Sequence, residues 1–265
     1  MLSVSACAWA LPGPAHAALE RVRAAGFEWV DVRPDCWAGL RAAEDVTVHG
    51  LRVACVGLGP ITMAPGLSLD LLTGSDSGRV LPYLAGALER GSRLGARYAY
   101  ITTPTVRPDD MTAYRHSMAR LADIAAGLSM RLCVEPSPGR ALGTAEEALR
   151  FVEAVGHDNL YSLLDLGHCL LTGEDPAEAI RRAGGRLGYV HIDDNDGRAD
   201  SHWPLFQGVL TRATFESMLD ALGAAGYDAP VAIELAKGLP GAVEGLVAAR
   251  GALLAWRPEG AVSQP

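Results

Sequence analysis

The chain has 265 residues, 49% hydrophobic and 20% charged, with a formal net charge of −8. That balance suits a globular enzyme with a sizeable core and opposes generic nucleic-acid binding, which rests on clustered Lys and Arg facing phosphates. No run approaches the roughly 18 uninterrupted apolar residues of a membrane span, and the five cysteines show no Cys-x-x-Cys spacing, the pattern of reduced thiols in a cytoplasmic protein.

Taken in order, Leu2–Ala8 is a short apolar run, closed by a Leu-Pro-Gly-Pro turn. The first 18 residues superficially resemble a signal peptide ending in Ala-x-Ala. They lack a basic start, and Pro12, Gly13 and Pro14 interrupt them, so they are read as a first strand and its loop. Helical spacing over Ala15–Ala25 ends at Gly26, a natural C-cap. Trp29–Val32 is a second strand, Asp35–Gly50 is irregular, and Leu51–Val56 is a third strand. Gly57–Gly78 is a long loop of the kind that usually carries function. A helix at Leu81–Leu94, a strand at Tyr98–Thr102, a helix at Asp110–Leu128 and a strand at Arg131–Glu135 follow. Thr144 and Glu147 have capping-box spacing for a helix through Val155. Strands at Tyr161–Asp165, Leu187–His191 and Val231–Glu234 then alternate with helices at Pro176–Ala183, Thr214–Ala225 and Val243–Trp256. Eight strands separated by mostly helical segments predict an α/β fold with a parallel sheet, and in this length a single-domain (β/α)8 TIM barrel. The barrel is expected over 1–258, with a disordered tail at 259–265. No Gly-x-Gly-x-x-Gly follows the first strand, which opposes a dinucleotide-binding fold.

Four of the apolar runs end in chemistry. RLCVE closes on Glu135, YSLLD on Asp165, LGYVH on His191 and PVAIE on Glu234. In a barrel of this kind catalytic groups sit at the carboxyl ends of strands, so these four side chains aim at one volume. Three carboxylates that close together repel unless they are protonated or bridged by a cation. One divalent metal ion resolves the repulsion, and oxygen-rich ligation with one imidazole suits Mn, Mg or Co and is tolerable to Zn. Singly, a strand-end carboxylate more often caps a helix or pairs with Arg, with a functional prior of about one in three. On four consecutive strands the metal is the better explanation. His168 lies three residues after Asp165, and Asp200-Ser-His202 follows His191. His16, His49, His116 and His157 are placed on the solvent side. Trp9 and Trp203 could wall a sugar ring, although packing explains them equally well. Arg198, Arg140 and Arg107 fall on the catalytic face, where they could hold a carboxylate or form surface salt bridges. Asp193, Asp194, Asp196 and Asp200 oppose a phosphate near strand 7, and Lys237 is the only lysine available for a Schiff base.

Val134–Pro136, LLDLGH at Leu163–His168, YVHIDDND at Tyr189–Asp196, SHWPLFQGVL at Ser201–Leu210 and AAGYDAPVAIEL at Ala224–Leu235 resemble the sugar phosphate isomerase/epimerase family, within the xylose isomerase-like TIM barrel superfamily. The match covers the C-terminal half in motif detail and the first half only in strand rhythm. The resemblance implies a metal held by Glu135, Asp165, His191 and Glu234, with His168 touching substrate. It also implies that, in keto-sugar epimerases, the residues matching Glu135 and Glu234 move protons on opposite faces of the substrate carbon. It extends to endonuclease IV-type barrels, in which Asp200 and His202 match part of a multi-metal site, so a second metal there is a further expectation. The early-strand histidines of those nucleases have no counterpart, because strand 3 ends in Cys55-Val56-Gly57 and strand 4 in Thr102-Thr103-Pro104.

The expected function is a metal-dependent isomerase or epimerase, working by proton transfer next to the carbonyl of a keto-sugar or cyclic polyol. Glu135, Glu234 and His168 are the expected catalytic residues, and His168, Arg198, His202 and Trp9 the expected substrate contacts. Isomerisation, epimerisation and loss of a β-hydroxyl share an enediolate, so a dehydratase or lyase remains open. An endonuclease IV-like phosphodiesterase and a non-catalytic barrel subunit are the remaining alternatives. The expected partner is a small carbohydrate or polyol, without nucleic acid or membrane, and a homo-oligomer is left open.

Overall fold

In the computed structural model, which describes residues 2–33, 39–58 and 66–256, eight parallel strands close into a barrel in sequence order. They are β1 Val4–Cys7, β2 Trp29–Val32, β3 Arg52–Gly57, β4 Tyr98–Thr102, β5 Arg131–Glu135, β6 Leu160–Asp165, β7 Leu187–Ile192 and β8 Val231–Ile233. The outer ring is α1 Ala15–Ala24, the one-turn α2 Glu44–Thr47, α3 Ser77–Arg93, α4 Thr112–Gly127, α5 Ala145–Val155, α6 Leu166–Thr172, α7 Pro176–Ala183, α8 Arg212–Ala224 and α9 Ala242–Ala255. The expected TIM barrel is therefore correct. Parts of two expected irregular stretches, 34–38 and 59–65, and the expected tail lie outside the described residues. No helix among the described residues is long and apolar enough to cross a membrane.

Side chains alternate across a strand, and here the alternation sorts two cores. Val134, Leu164, Val190, Ile192 and Ile233 pack outward under the helices. Cys7, Tyr100, Cys133, Leu163, Tyr189 and Ala232 fill the barrel interior. Glu135, Asp165, His191 and Glu234 each follow an interior residue by two positions, so all four share the interior parity. Register then sets their height, since Asp165 pairs with His191 and His191 with Ala232.

The sequence signals for helix starts are realised locally. Thr144 accepts the Glu147 N–H at 3.1 Å, while Glu147 reaches back to the Gly143 N–H at 2.7 Å. Glu174, from beyond α6, takes the next two free donors, Ala145 N–H at 2.9 Å and Glu146 N–H at 3.0 Å. Helix α6 was absent from the sequence expectation, being only seven residues long. Asp165 starts it by accepting the His168 N–H at 3.0 Å. One carboxylate thus ends a strand, caps a helix and faces the barrel mouth.

Candidate active site

Glu135, Asp165, His191 and Glu234 are 0–3% exposed, and one ligand atom from each lies within 4.8 Å of the others. His191 Nδ1 is 3.2 Å from Glu135 Oε1 and 2.8 Å from Glu234 Oε2. Asp165 Oδ1 caps α6, whereas Asp165 Oδ2 is buried without a partner among the described residues. Burial disfavours the imidazolium of His191, but Glu234, Asp31 and Glu135 outweigh it and hold the ring well above the usual histidine range. Burial likewise opposes ionisation of Glu234, yet His191, His202 and Arg33 keep its carboxyl well below the usual range. Ligands around a divalent ion sit about 2.0–2.2 Å from it, so donors this close together fit one. The unpartnered Asp165 oxygen and the excess of carboxylates fit it as well.

The two glutamates are not equivalent. Glu234 Oε1 accepts from Trp9 Nε1 at 2.9 Å and from Arg33 Nη2 at 2.9 Å. Arg33 lies 4.0 Å over the Trp9 ring and also donates to the Tyr100 hydroxyl at 3.2 and 3.3 Å. Glu135 faces His191 alone among the described hydrogen-bond partners and opens onto a cavity of about 250 Å³.

A second layer of charge closes one side of that cavity. His168 Nδ1 donates to the Pro136 carbonyl at 2.8 Å, and Nε2 faces Asp200 Oδ2 at 3.2 Å. Burial lowers the His168 pKa, but Asp165 and Asp200 push it up to about 10. His202 lies between Asp193, at its Nδ1, and Asp200, 3.2 Å from its Nε2. Both ring nitrogens can donate only as imidazolium, and the two carboxylates raise its pKa accordingly, against the effect of burial. Its φ of 43° lies in the left-handed region, a conformation that costs on the order of 1–3 kcal/mol and is tolerated where surroundings over-determine it. Gly167 leaves the space that the Asp193 carboxylate occupies; a Cβ there would collide with Asp193.

The cavity brings together Trp9, Glu135, His168, Asp200, His202 and Glu234, with Asp165 and His191 buried beside them. Arg198 is not among the lining residues; it is exposed and gives its N–H to Asp196. Arg33, Arg140 and Lys237 are the basic residues that line the cavity. Arg107 is occupied by Glu147, and Trp203 pairs with Asp194 in a short bridge. Among the described residues, His168, Asp200 and His202 form one further cluster with metal-ligand spacing, and Asp165, Asp193 and His202 another.

Four aspartates in the β7 loop were expected to oppose a phosphate together; the structure divides them. Asp194 binds the Asn195, Gly208 and Leu210 N–H groups, and Asp196 those of Arg198 and Ala199. Only Asp193 and Asp200 face the site. Sequence reasoning missed Asp31 and Arg33 and placed Asp193 only among the acidic residues of the β7 loop. Their signal is strand parity, readable once the inner face is known: Asp31 and Arg33 continue the Trp29 face, and Asp193 continues that of Tyr189 and His191.

The model of the xylose isomerase-like TIM barrel family matches residues 19–251. The chain belongs to that family. Among curated relatives, L-ribulose 3-epimerase of Mesorhizobium japonicum is 31% identical over 194 residues, covering 71% of this chain and 57% of that protein. Inosose dehydratase of Geobacillus kaustophilus is 37% identical over 75 residues, covering 28% of this chain and 24% of that one. The alignments therefore span little more than half of the first relative and about a quarter of the second. Among solved structures, D-allulose 3-epimerase from Methylomonas sp. superposes with a TM-score of 0.77 at 20% identity, covering 94% of this chain and 96% of that one. At that identity the likeness concerns the barrel alone, and those two curated relatives are an epimerase and a dehydratase.

Proposed function

We propose that the protein is a divalent-metal-dependent isomerase or epimerase that moves a proton next to the carbonyl of a keto-sugar or cyclic polyol. The observation that carries this reading is the buried Glu135–Asp165–His191–Glu234 cluster beside a polar cavity. Mn, Mg, Co or Zn would be held by these four residues and would supply Lewis acidity to the carbonyl and the adjacent hydroxyl.

The chain's own residues divide the rest of the work. Glu135, with no hydrogen-bond donor besides His191 among the described residues, is the base that takes the proton from the carbon next to the carbonyl. Glu234 is a less free partner, because Trp9 and Arg33 both donate to its second oxygen. It serves first as a ligand and then as the opposing proton carrier in an epimerisation. His168, held as a donor by the Pro136 carbonyl and Asp200, orients a substrate oxygen. His202 and Asp200 close the cavity wall beside it. Trp9 supplies an apolar surface. The inosose dehydratase similarity favours one alternative, loss of a β-hydroxyl through the same enediolate.

The test incubates Mn²⁺-, Co²⁺- or Zn²⁺-loaded protein with L-ribulose, D-psicose and an inosose in heavy water, followed by NMR. Isomerised, epimerised or dehydrated product, or deuterium at the carbon next to the carbonyl, is expected with at least one of them. Protein that holds its metal yet neither converts nor exchanges any carbonyl polyol would overturn the proposal.

A further inference from the structure

Asp31, on β2, is fully buried in the barrel interior beneath the four-residue cluster. Its Oδ1 accepts the Ser5 hydroxyl at 2.6 Å and the Tyr189 hydroxyl at 2.9 Å. Among the described residues its Oδ2 has no hydrogen-bond partner, and neither has His191 Nε2. These two unsatisfied atoms face each other at 3.7 Å. A shift of about half an ångström would make an N–H···O hydrogen bond of ordinary length. The opposite ring nitrogen, Nδ1, faces Glu135 and Glu234. Tyr100 and Tyr189 pack edge-on against the imidazole, with centroids 4.9 and 5.7 Å away and planes at 87° and 83°.

We infer that Asp31 is a positioning residue for the metal centre: its carboxylate keeps the proton on His191 Nε2 and leaves the Nδ1 lone pair aimed at Glu135, Asp165 and Glu234. The inference rests on the metal-centre reading above. A buried carboxylate costs several kcal/mol unless its surroundings compensate, and the neighbouring interior positions are otherwise mainly apolar, aromatic or thiol. Two hydroxyls from β1 and β7 hold Oδ1, which orients Oδ2 at the imidazole. An acceptor behind a histidine ligand sets its tautomer and raises its basicity. An amide would not do this. Asn at 31 could keep both hydroxyl bonds through its oxygen, but its N–H₂ would then face Nε2. That arrangement makes Nε2 the acceptor and puts the proton on Nδ1, where a metal ligand needs a lone pair.

Asp31→Asn is thus nearly isosteric and separates positioning from packing. Mn²⁺ binding to the full chain, measured by electron paramagnetic resonance with chelator competition, should weaken by about 10–100-fold in the variant. The melting temperature of the metal-free variant should stay close to that of the parent. Unchanged Mn²⁺ affinity in a folded Asp31→Asn protein overturns the inference and leaves the metal reading standing. Absence of Mn²⁺ binding to the parent protein overturns both. Should the variant not fold, nitrogen NMR of the Zn²⁺-loaded parent decides alone: a protonated Nε2 with a ligated Nδ1 on His191 supports the inference, and the reverse tautomer refutes it.

Discussion

Replacing Arg33 with Met should destabilise the metal-free protein far more than the metal-loaded protein. The Arg33 guanidinium lies 2.9 Å from Glu234 Oε1, with side-chain exposures of 22% and 5%, 4.0 Å above the Trp9 ring, and within hydrogen-bond reach of Tyr100. Breaking one side of a buried ion pair costs about 3–5 kcal/mol, because the other charge stays buried. Glu234 keeps His191 and Trp9 as partners, which puts the expected loss near the lower end, about 3 kcal/mol. For a domain of this size that corresponds to a melting temperature lower by about 6–10 °C. A bound divalent ion meets the Glu234 charge instead, so the loss should shrink to about 1 kcal/mol, the scale of the cation–π contact with Trp9 that the substitution still removes. Removing the positive charge should also tighten Mn²⁺ binding. Calorimetric melting of parent and Arg33→Met proteins, with chelator and with saturating Mn²⁺, reads all of this. An equal loss in both conditions, or none without metal, would refute the idea that Arg33 stands in for missing positive charge on Glu234.

Asp165→Ala and His191→Ala should each lose the ion, and elemental analysis that finds full metal in both would end the four-ligand assignment. Glu135→Gln should fall by about 100–10,000-fold in deuterium exchange at the substrate carbon, while Glu234→Gln should lose mainly metal affinity; equal retention of exchange in Glu135→Gln removes it as the base. His168→Gln should keep the metal and lower turnover, and a loss of metal there would mean that the residue ligates rather than orients. Asp70 accepts the Thr105 N–H at 2.5 Å and the Ser68 hydroxyl at 2.9 Å; partial burial alone would raise its pKa, but these donors lower it. Its contribution is therefore present above the unfolded value of about 3.9 and is lost as pH falls through the lower folded value. Asp70→Asn should cost about 1 kcal/mol or less at pH 7 and nothing once Asp70 is protonated, and urea midpoints that differ equally at pH 7 and at strongly acid pH would contradict this.

The barrel was legible in the sequence because each strand is a short apolar run of three to six residues bounded by a helical period, and those local patterns survive folding. The four clustered residues, Glu135, Asp165, His191 and Glu234, were legible for a related reason: each stands where an apolar run stops, at the strand end that a barrel turns toward its mouth. Asp31 and Asp193 carry the same parity as those four residues, but parity becomes meaningful only when closure of β1 on β8 decides which face is inside. The difference between Glu135 and Glu234 could not be read at all, since the donors to Glu234 stand 225 and 201 positions away. Adjacent aspartates made the same point at short range: Asp193 enters the site and Asp194 binds loop N–H groups, because successive side chains leaving a strand point to opposite sides. Residue type and spacing determined which chemistry is present, and the closed sheet decided which of those groups is free to act, because burial and hydrogen-bond partners are properties of neighbours distant in the chain.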